Sequence, residues 1–424
     1  MIKFLIKGIL RDRSRSLLPI IIISLGVFLT VFLTGYLNGI MNDLKEQTAK
    51  FDTGHVKVVT KAYLKEINQI PIDLSIMDAE SIDNTLKQKY PDYQWVNRIK
   101  FGGIVDVPDA AGNSKGQGPA AGFAIDMFDK NQGEIEMFNL QNALISGKIP
   151  EKSGQVLIGN DFAEKLKLKP GDEITIMGST MYGSLMLYPF KISGTVKFGM
   201  KQLDQGAIII DLSDAQKMLD MENTVSEILG FSKSGKYDNE EAELMSENFN
   251  RNDSPKNDEF APVMVPLKQQ NNMSEMIDYS ENIAAVFIFI FVMAMSVVLW
   301  NTGLLGGIRR YKEIGIRLSL GESKPVIYKN MILEAAIIGV IGSVIGSILG
   351  ISLAYFLQTV GIDISGMMKN SSLFFSPRVR AEVSPPLFYI GFIPGVLAMV
   401  TGTMLSGIGI FKRQTSQLFK ELEV

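Results

Sequence analysis

The 424-residue sequence contains no cysteine and a single histidine. Without cysteine there are no disulfides, no thiol nucleophile, no Cys-ligated zinc, no iron–sulfur cluster and no lipid attached through an N-terminal cysteine. With only His55, a multi-histidine metal site within one chain is excluded, and imidazole acid–base chemistry would rest on that one side chain. His55 lies in an alternating segment beside Gly54 and reads as a structural histidine. A phosphate-binding loop needs G-x-x-x-x-G-K-[ST], whose backbone N–H groups and lysine grip the phosphates. Gly147-Lys148 is followed by Ile149 and Gly235-Lys236 by Tyr237, so ATP hydrolysis by that route is excluded for these residues. No nucleophile–base constellation stands out, and no repeat of solenoid period occurs.

What is present is unevenly distributed. The net charge is −3 and mean hydropathy +0.16, although 42 Lys/Arg and 45 Asp/Glu are present. Charge-free apolar runs must therefore sit beside strongly polar segments. Four such runs occur: Leu17 to Asn42, Asn282 to Ile308, Ala335 to Ile362 with Glu334 at its edge, and Val383 to Phe411. Each exceeds the roughly 20 residues that cross a hydrocarbon core of about 30 Å. The first is too long for a signal-peptide core, no A-x-A-like site follows it, and Gly35 and Gly39 give it a helix-packing spacing. It reads as an uncleaved anchor.

Basic residues in short loops set the orientation. Lys3, Lys7, Arg11, Arg13 and Arg15 precede the first run. Arg309, Arg310, Lys312, Arg317, Lys324 and Lys329 lie between the second and third. Lys412, Arg413 and Lys420 follow the fourth. Four spans put these three segments on one side, the cytoplasmic one, with both termini inside. Residues 43–281 then lie outside, with 37 acidic and 25 basic side chains, a net of −12. Against this topology, the outer loop before span four holds Lys369, Arg378 and Arg380.

The expected fold is an α-helical membrane protein with four transmembrane helices, one plus three, and a large extracytoplasmic α+β domain of two subdomains. The predicted order is a basic amphipathic segment (1–16), span one (17–42), the external domain (43–281), span two (282–308), a cytoplasmic segment (309–330), span three (331–360), an outer loop (361–382), span four (383–411) and a cytoplasmic tail (412–424).

In the external domain, a helical continuation of span one should change to a strand at His55 to Thr60. Asp78 to Lys89 reads as a helix, and Gln94 to Val107 as two strands turning at Gly102-Gly103. Ala121 to Asp126, Val156 to Gly159, Glu173 to Met177, Leu185 to Val196 and Gln205 to Ile210 read as strands. Asn160 to Leu168 reads as a helix and Lys169 to Asp172 as a turn, with Pro170 presetting φ and Gly171 accepting a positive φ. Asp211 is an N-cap for a helix from Ser213. Lys233 to Glu259 reads as a polar, acidic loop. Asn271 to Glu281 leads helically into span two.

The most informative segment is Ile308 to Ser323. Ile308, Tyr311, Ile314 and Leu318 recur near helical spacing with basic residues and Glu313 between them. Gly321 and Pro325 end this short amphipathic helix. Physics alone leaves it equally a basic loop on the headgroups. Its sequence, Arg310-Tyr-Lys-Glu-Ile-Gly-Ile-Arg-Leu-Ser-Leu-Gly-Glu-Ser323, resembles the R-x-R/K-E-I-G-I-x-R-A-x-G-A-S signature of MacB/FtsX-type ABC transporter permeases. The signature's alanine falls on Leu318 or Ser319. Other regions agree: Lys7 to Leu18 is similar to the family's basic amphipathic helix leading into the membrane. Gly147 to Met177, with Gly154-Gln-Val-Leu-Ile-Gly159 and Pro170-Gly-Asp172, is similar to its periplasmic-domain motif. Glu334-Ala-Ala with the glycine-rich run looks like its third helix. Gly54-His-Val-Lys-Val58 and Gly361-Ile-Asp-Ile-Ser365 look most like the lipoprotein-releasing (Lol-type) branch.

The resemblance implies a permease subunit of a type VII-like ABC transporter in a bacterial inner membrane. A separate cytoplasmic ATPase dimer, binding ATP and Mg, closes and pushes the coupling helix; this chain itself holds no cofactor. The spans transmit that motion outward without passing substrate through a pore. Arg310, Glu313, Ile314, Gly315, Arg317 and Gly321 would form the ATPase-coupling segment. A second copy or a homologous permease completes a dimer, and the cargo is a lipoprotein or other lipid-anchored molecule. Nucleic acid is not a partner. FtsX-like activation of a cell-wall hydrolase and MacB-type efflux are the competing functions.

Gly342, Gly346 and Gly350 form overlapping G-x-x-x-G motifs, repeated by Gly303/Gly307 and Gly391/Gly395. They read either as packing within one bundle or as a dimer seam. Glu334 pairs structurally with Lys329 or a coupling-helix arginine, or serves function as a costly membrane acid. The apolar hairpin Tyr182 to Pro189, with Met186, reads either as a core strand or as an acyl-chain contact. Ser24, Thr30, Thr34 and Met293 or Met295 are candidate cargo linings.

Overall fold

The computed structural model describes residues 13–109, 112–129, 133–199, 201–255, 257–270, 273–308, 311–363 and 378–412. The leading basic residues up to Asp12, Arg310, most of the loop before span four and the tail beyond Lys412 lie outside the described residues. The rest falls into two compact units, 13–43 with 279–363 and 378–412, and 44–278.

Among the described residues of the first unit, four helical segments are long and apolar enough to cross a membrane. Helix α1 runs Arg13–Thr48, α7 Met273–Ile308 and α9 Lys324–Val360. Each of these outlasts its charge-free run, because a helix does not end where polarity begins. α9 starts at Lys324, where Ser323 sits at the N-cap and Pro325 in the first turn. The fourth segment is composite: a 3₁₀ turn Pro385–Phe388, a π-helical stretch Ile393–Ala398 and α10, Met399–Lys412. Pro394 carries no N–H and disturbs the ladder, which accounts for the irregular register.

Glycines let these helices touch. A Cβ on Gly342 would meet Ile23 at 2.7 Å, one on Gly346 the Ser24 carbonyl oxygen at 2.5 Å, and one on Gly350 Val31 at 2.9 Å. The triple motif of α9 is therefore spent on α1 of the same chain. Gly395 meets Val27 likewise, and Gly303 approaches the Met399 carbonyl.

The second unit is built on strands β1 Val56–Thr60, β2 Ile76–Met77, β3 Tyr93–Pro108, β4 Ser114–Ile125, β5 Leu144–Gly147, β6 Gln155–Gly159, β7 Glu173–Ser179, β8 Leu185–Val196, β9 Ala207–Asp211, β10 Thr224–Val225, β11 Glu227–Ser232 and β12 Pro262–Pro266. The pairings β3–β4–β9–β6–β8–β7 return to β3, so six strands close into a ring. Phe101, Val105, Ile158, Ile174, Ile176, Phe190 and Ile210 fill it. The first half of β3 instead joins the open sheet β12–β1–β11–β3. The two subdomains thus share one strand.

Helices α2 Ala79–Lys89, α3 Asn160–Leu166, α4 Lys201–Gly206, α5 Leu212–Met218 and α6 Asn239–Asn252, with shorter helical turns, pack with these strands. Asp211 caps α5 by accepting from the Ser213 N–H at 2.9 Å, as its position predicts.

Three expectations fail. Gly112 to Gly118 reads as a loop by its glycines, but from Ser114 onward it belongs to β4 and pairs with β3. β3 runs straight through Gly102-Gly103 rather than turning. Those glycines serve close approach: Gly103 pairs with Ala120, and its missing Cβ leaves only 3.0 Å to the Met177 carbonyl. Lys233 to Glu259 is not a loop but holds α6, whose Ala242, Met245, Ser246 and Phe249 are buried on one face. Asp238 caps it through the Glu241 N–H at 3.1 Å. The acidic residues mask the helical period because they cover its solvent face.

Candidate functional site

The short helix α8, Tyr311–Ser319, stands between α7 and α9. It ends in a Schellman turn: Glu322 N–H donates to Arg317 O and Gly321 N–H to Leu318 O, each at 3.1 Å. Gly321 takes φ +90°, a conformation that costs glycine little. Ile314 is buried against Ile327 and Met331, with Leu318 beside them. Arg317 donates to Glu313 at 2.7 Å, one turn away. Glu313, Arg317, Asn330 and Glu334 join Ile314, Ile327 and Met331 around a cavity of about 30 Å³, enough for one water. Glu334 thus lines the same cavity as Glu313 and Arg317 of α8.

This geometry sorts the sequence candidates. Ile314 and Gly315, expected to face an ATPase, are turned inward. Among the described residues from Glu313 to Ser323, the exposed apolar side chains are Ile316, 53 % exposed, and Leu320, 82 % exposed. Their signal was present in the sequence, since they lie one to two residues off the Ile314–Leu318 face. Arg310 lies outside the described residues.

Among the cargo candidates, Thr30 and Thr34 are buried, and their hydroxyls donate to Gly26 O and Thr30 O of their own helix at 2.9 and 2.8 Å. Ser24 is buried too. Met293 is exposed on α7. Met186 is a correction: alternation along β8 sends it and Phe190 into the ring. The same alternation sends Leu185 and Leu187 outward at 78 % and 58 % exposure, beside Tyr182 at 74 %.

The external unit also encloses a charge cluster that sequence reading missed. His55, two residues before Lys57, makes structural contacts of its own: its Nε2 lies 3.2 Å from Glu46 Oε2 and its Nδ1 accepts from the Ser232 N–H at 3.1 Å. An acceptor at Nδ1 places the ring proton on Nε2, facing the carboxylate. On β1, Lys57 Nζ lies 3.3 Å from Glu227 Oε1 of β11, and Lys100 Nζ of β3 lies 3.1 Å from the other carboxylate oxygen. Lys100 also pairs with Asp52. Arg98 of β3 donates Nε and Nη2 to the two Glu134 oxygens at 3.0 Å each, and its guanidinium lies 4.6 Å from the Phe138 ring centre.

Burial and pairing pull these groups in opposite directions. Burial lowers Lys57 below the usual lysine value, and the pull of Glu227 does not restore it. For Lys100 burial acts the same way, but Glu227 and Asp52 together outweigh it and leave the ammonium above its usual value. Burial would raise Asp52, yet Lys100 and Lys57 hold its carboxyl well below the usual carboxylate range. Burial raises Glu134 despite Arg98. Among the described residues no cluster of His, Asp and Glu suits a metal ion.

Residues 285–415 match the FtsX-like permease C-terminal family, and residues 16–242 match the MacB-like periplasmic core domain, the latter over more than half of the chain. An uncharacterized ABC transporter permease of Methanocaldococcus jannaschii is 23 % identical over 224 residues, 52 % of this chain and 54 % of that protein. The chain therefore spans about half the length of this curated relative. The crystal structure of the periplasmic region of MacB from Actinobacillus actinomycetemcomitans aligns over 55 % of this chain and 95 % of that one, at 12 % identity and a TM-score of 0.35. With a periplasmic core domain inserted between its first span and an FtsX-like remainder, the chain belongs to the MacB/FtsX-type ABC transporter permeases.

Proposed function

We propose that this permease releases lipoproteins, or other lipid-anchored cargo, from the outer leaflet of a bacterial inner membrane. A separate ATPase dimer binds ATP and Mg on the cytoplasmic side and pushes α8. The permease dimerises with a second copy or a homologous chain, and the motion reaches the external domain without a substrate pore. The short helix α8 and the turn that follows it, with Ile316 and Leu320 projecting, supply an apolar ridge on which a cytoplasmic protein can seat. The apolar surface of α7, with Val286, Phe287, Phe289, Ile290, Met293 and Val297 exposed, suits lipid or a partner permease.

The cargo reading is carried by the outward face of the β7–β8 hairpin. Ser179 pairs with Leu185 and Met177 with Leu187, so Leu185 and Leu187 stand on one exposed face of β8, with the exposed Tyr182 in the turn that joins the two strands, in an otherwise acidic domain. An acyl chain needs such a surface, since each buried CH₂ contributes about 0.8 kcal/mol. The test is purification of the full chain in mild detergent, with mass spectrometry of bound proteins and lipids. An ATPase together with an acylated lipoprotein supports release. An ATPase with a wall hydrolase or an efflux adaptor, and no acylated cargo, overturns it.

A further inference from the structure

A helix leaves its last carbonyls without intrahelical donors. α1 does not fray at its end but closes in a π-helical turn, Ala49–Thr53. The wide turn is closed by Gly54 N–H, which donates to Ala49 O at 2.8 Å. Three of its other carbonyls accept from side chains elsewhere in the external unit. Arg98 Nη1 donates to Lys50 O at 2.7 Å, Lys100 Nζ to Asp52 O at 3.1 Å and Gln270 Nε2 to Thr53 O at 3.1 Å. Two of these three donors are cations, which suits the negative pole of a helix. The side chains of the turn are held as well. Ala49 packs with Val96, Leu229 and Leu267, whereas Phe51 packs with Phe138 and Leu157 in a different core. Asp52 meets Lys100 and Lys57.

Arg98 is the centre of this grip. Two of its donors are fixed on Glu134, which orients the guanidinium, and a third reaches the Lys50 carbonyl. A π turn is one residue wider than an α turn. Relaxing it would carry Phe51 and Asp52 off their partners.

We infer that Arg98 is a positioning residue for energy coupling: it locks the π turn at the end of α1 to β3, so that displacement of that helix is delivered to the external sheet. This rests on the permease reading proposed above. Lys100 and Gln270 are the supporting grips, and Glu134 is the counter-charge that aims Arg98.

The test is hydrogen exchange on the full chain in lipid nanodiscs with its co-purifying ATPase, without nucleotide and with ATP, Mg and vanadate. Arg98→Met is compared with the double variant R98M/E134M, in which no buried charge is left unpaired and stability is regained. The expected result is that residues 49–54 exchange about tenfold faster in both variants. The nucleotide-dependent change at residues 93–108 disappears in both, while that at residues 311–319 persists. If R98M/E134M regains the response of residues 93–108 along with its stability, Arg98 is only structural and the inference falls. If residues 311–319 do not respond in the wild type, the permease reading falls first and takes this one with it.

Discussion

Lys57 Nζ lies 3.3 Å from Glu227 Oε1, and both side chains are sealed from solvent. Removing one member of such a pair leaves an uncompensated charge and costs about 3–5 kcal/mol. Lys100 still contacts Glu227, so Lys57→Met should fall at the lower end, about 3 kcal/mol. Chemical unfolding of the purified chain, followed by the fluorescence of Trp95 on β3 of this sheet, measures it. A loss well under 1 kcal/mol would mean that Lys100 alone satisfies Glu227.

Asp52 makes stability depend on acid. Its folded carboxyl titrates below the ordinary 3.8, so its contribution is fully present above that value and is lost as pH falls through the folded value. Asp52→Asn should therefore be less stable than wild type at pH 7, and the two stabilities should converge below pH 3.8. Glu134 has the opposite sign. Its folded carboxyl titrates above the ordinary 4.5, so the strain it adds at neutral pH is relieved as pH falls towards that value. Glu134→Gln removes that slope while Asp52→Asn removes the other, and stability measured across pH separates them.

Gly346 faces a backbone carbonyl that cannot step aside. Gly346→Leu should destabilise the membrane unit by about 1–3 kcal/mol, the cost of overpacking. Gly306→Ala on α7, where nothing lies within 4 Å of the added carbon, is the control and should leave thermal stability in detergent unchanged.

α8 offers a clean separation of roles. Ile314→Ala removes packing against Ile327 and Met331 and should cost about 2–4 kcal/mol. Ile316→Ser changes only an exposed side chain and should stay within about 0.5 kcal/mol, yet weaken ATPase association at least tenfold. Co-purification of the ATPase with each variant reads the difference. Retained association in the Ile316 variant would move the contact to the other face.

The spans, the Leu185–Val196 strand, the Pro170-Gly171 turn and the Asp211 cap were legible because each rests on a local pattern: apolar length, alternation or cap chemistry. β11 and β12 were not. Both are short, and their identity as strands comes from flanking β1 rather than from their own sequence. α6 hid behind its acidic solvent face. The amphipathic spacing of α8 was legible, but which of its side chains turn inward depends on Ile327 and Met331, on the far side of the Gly321 turn. The charge cluster was least legible. Lys57, Arg98, Lys100, Glu134 and Glu227 are scattered over 171 positions, and each alone reads as an ordinary solvated charge. A lysine inside Val56-Lys-Val-Val59 was the one available hint.

Ring closure also governs how the external domain can meet other proteins. Six of its strands close on themselves and expose no continuous row of backbone donors. Two margins remain. β5 is only four residues long, and β12 both begins and ends in proline, whose missing N–H groups interrupt any incoming ladder. Neither margin can template an added strand of useful length. Associations of this domain must then be made by side chains, which are free to let go within a working cycle, and the domain is guarded against edge-to-edge polymerisation with its neighbours in a crowded membrane.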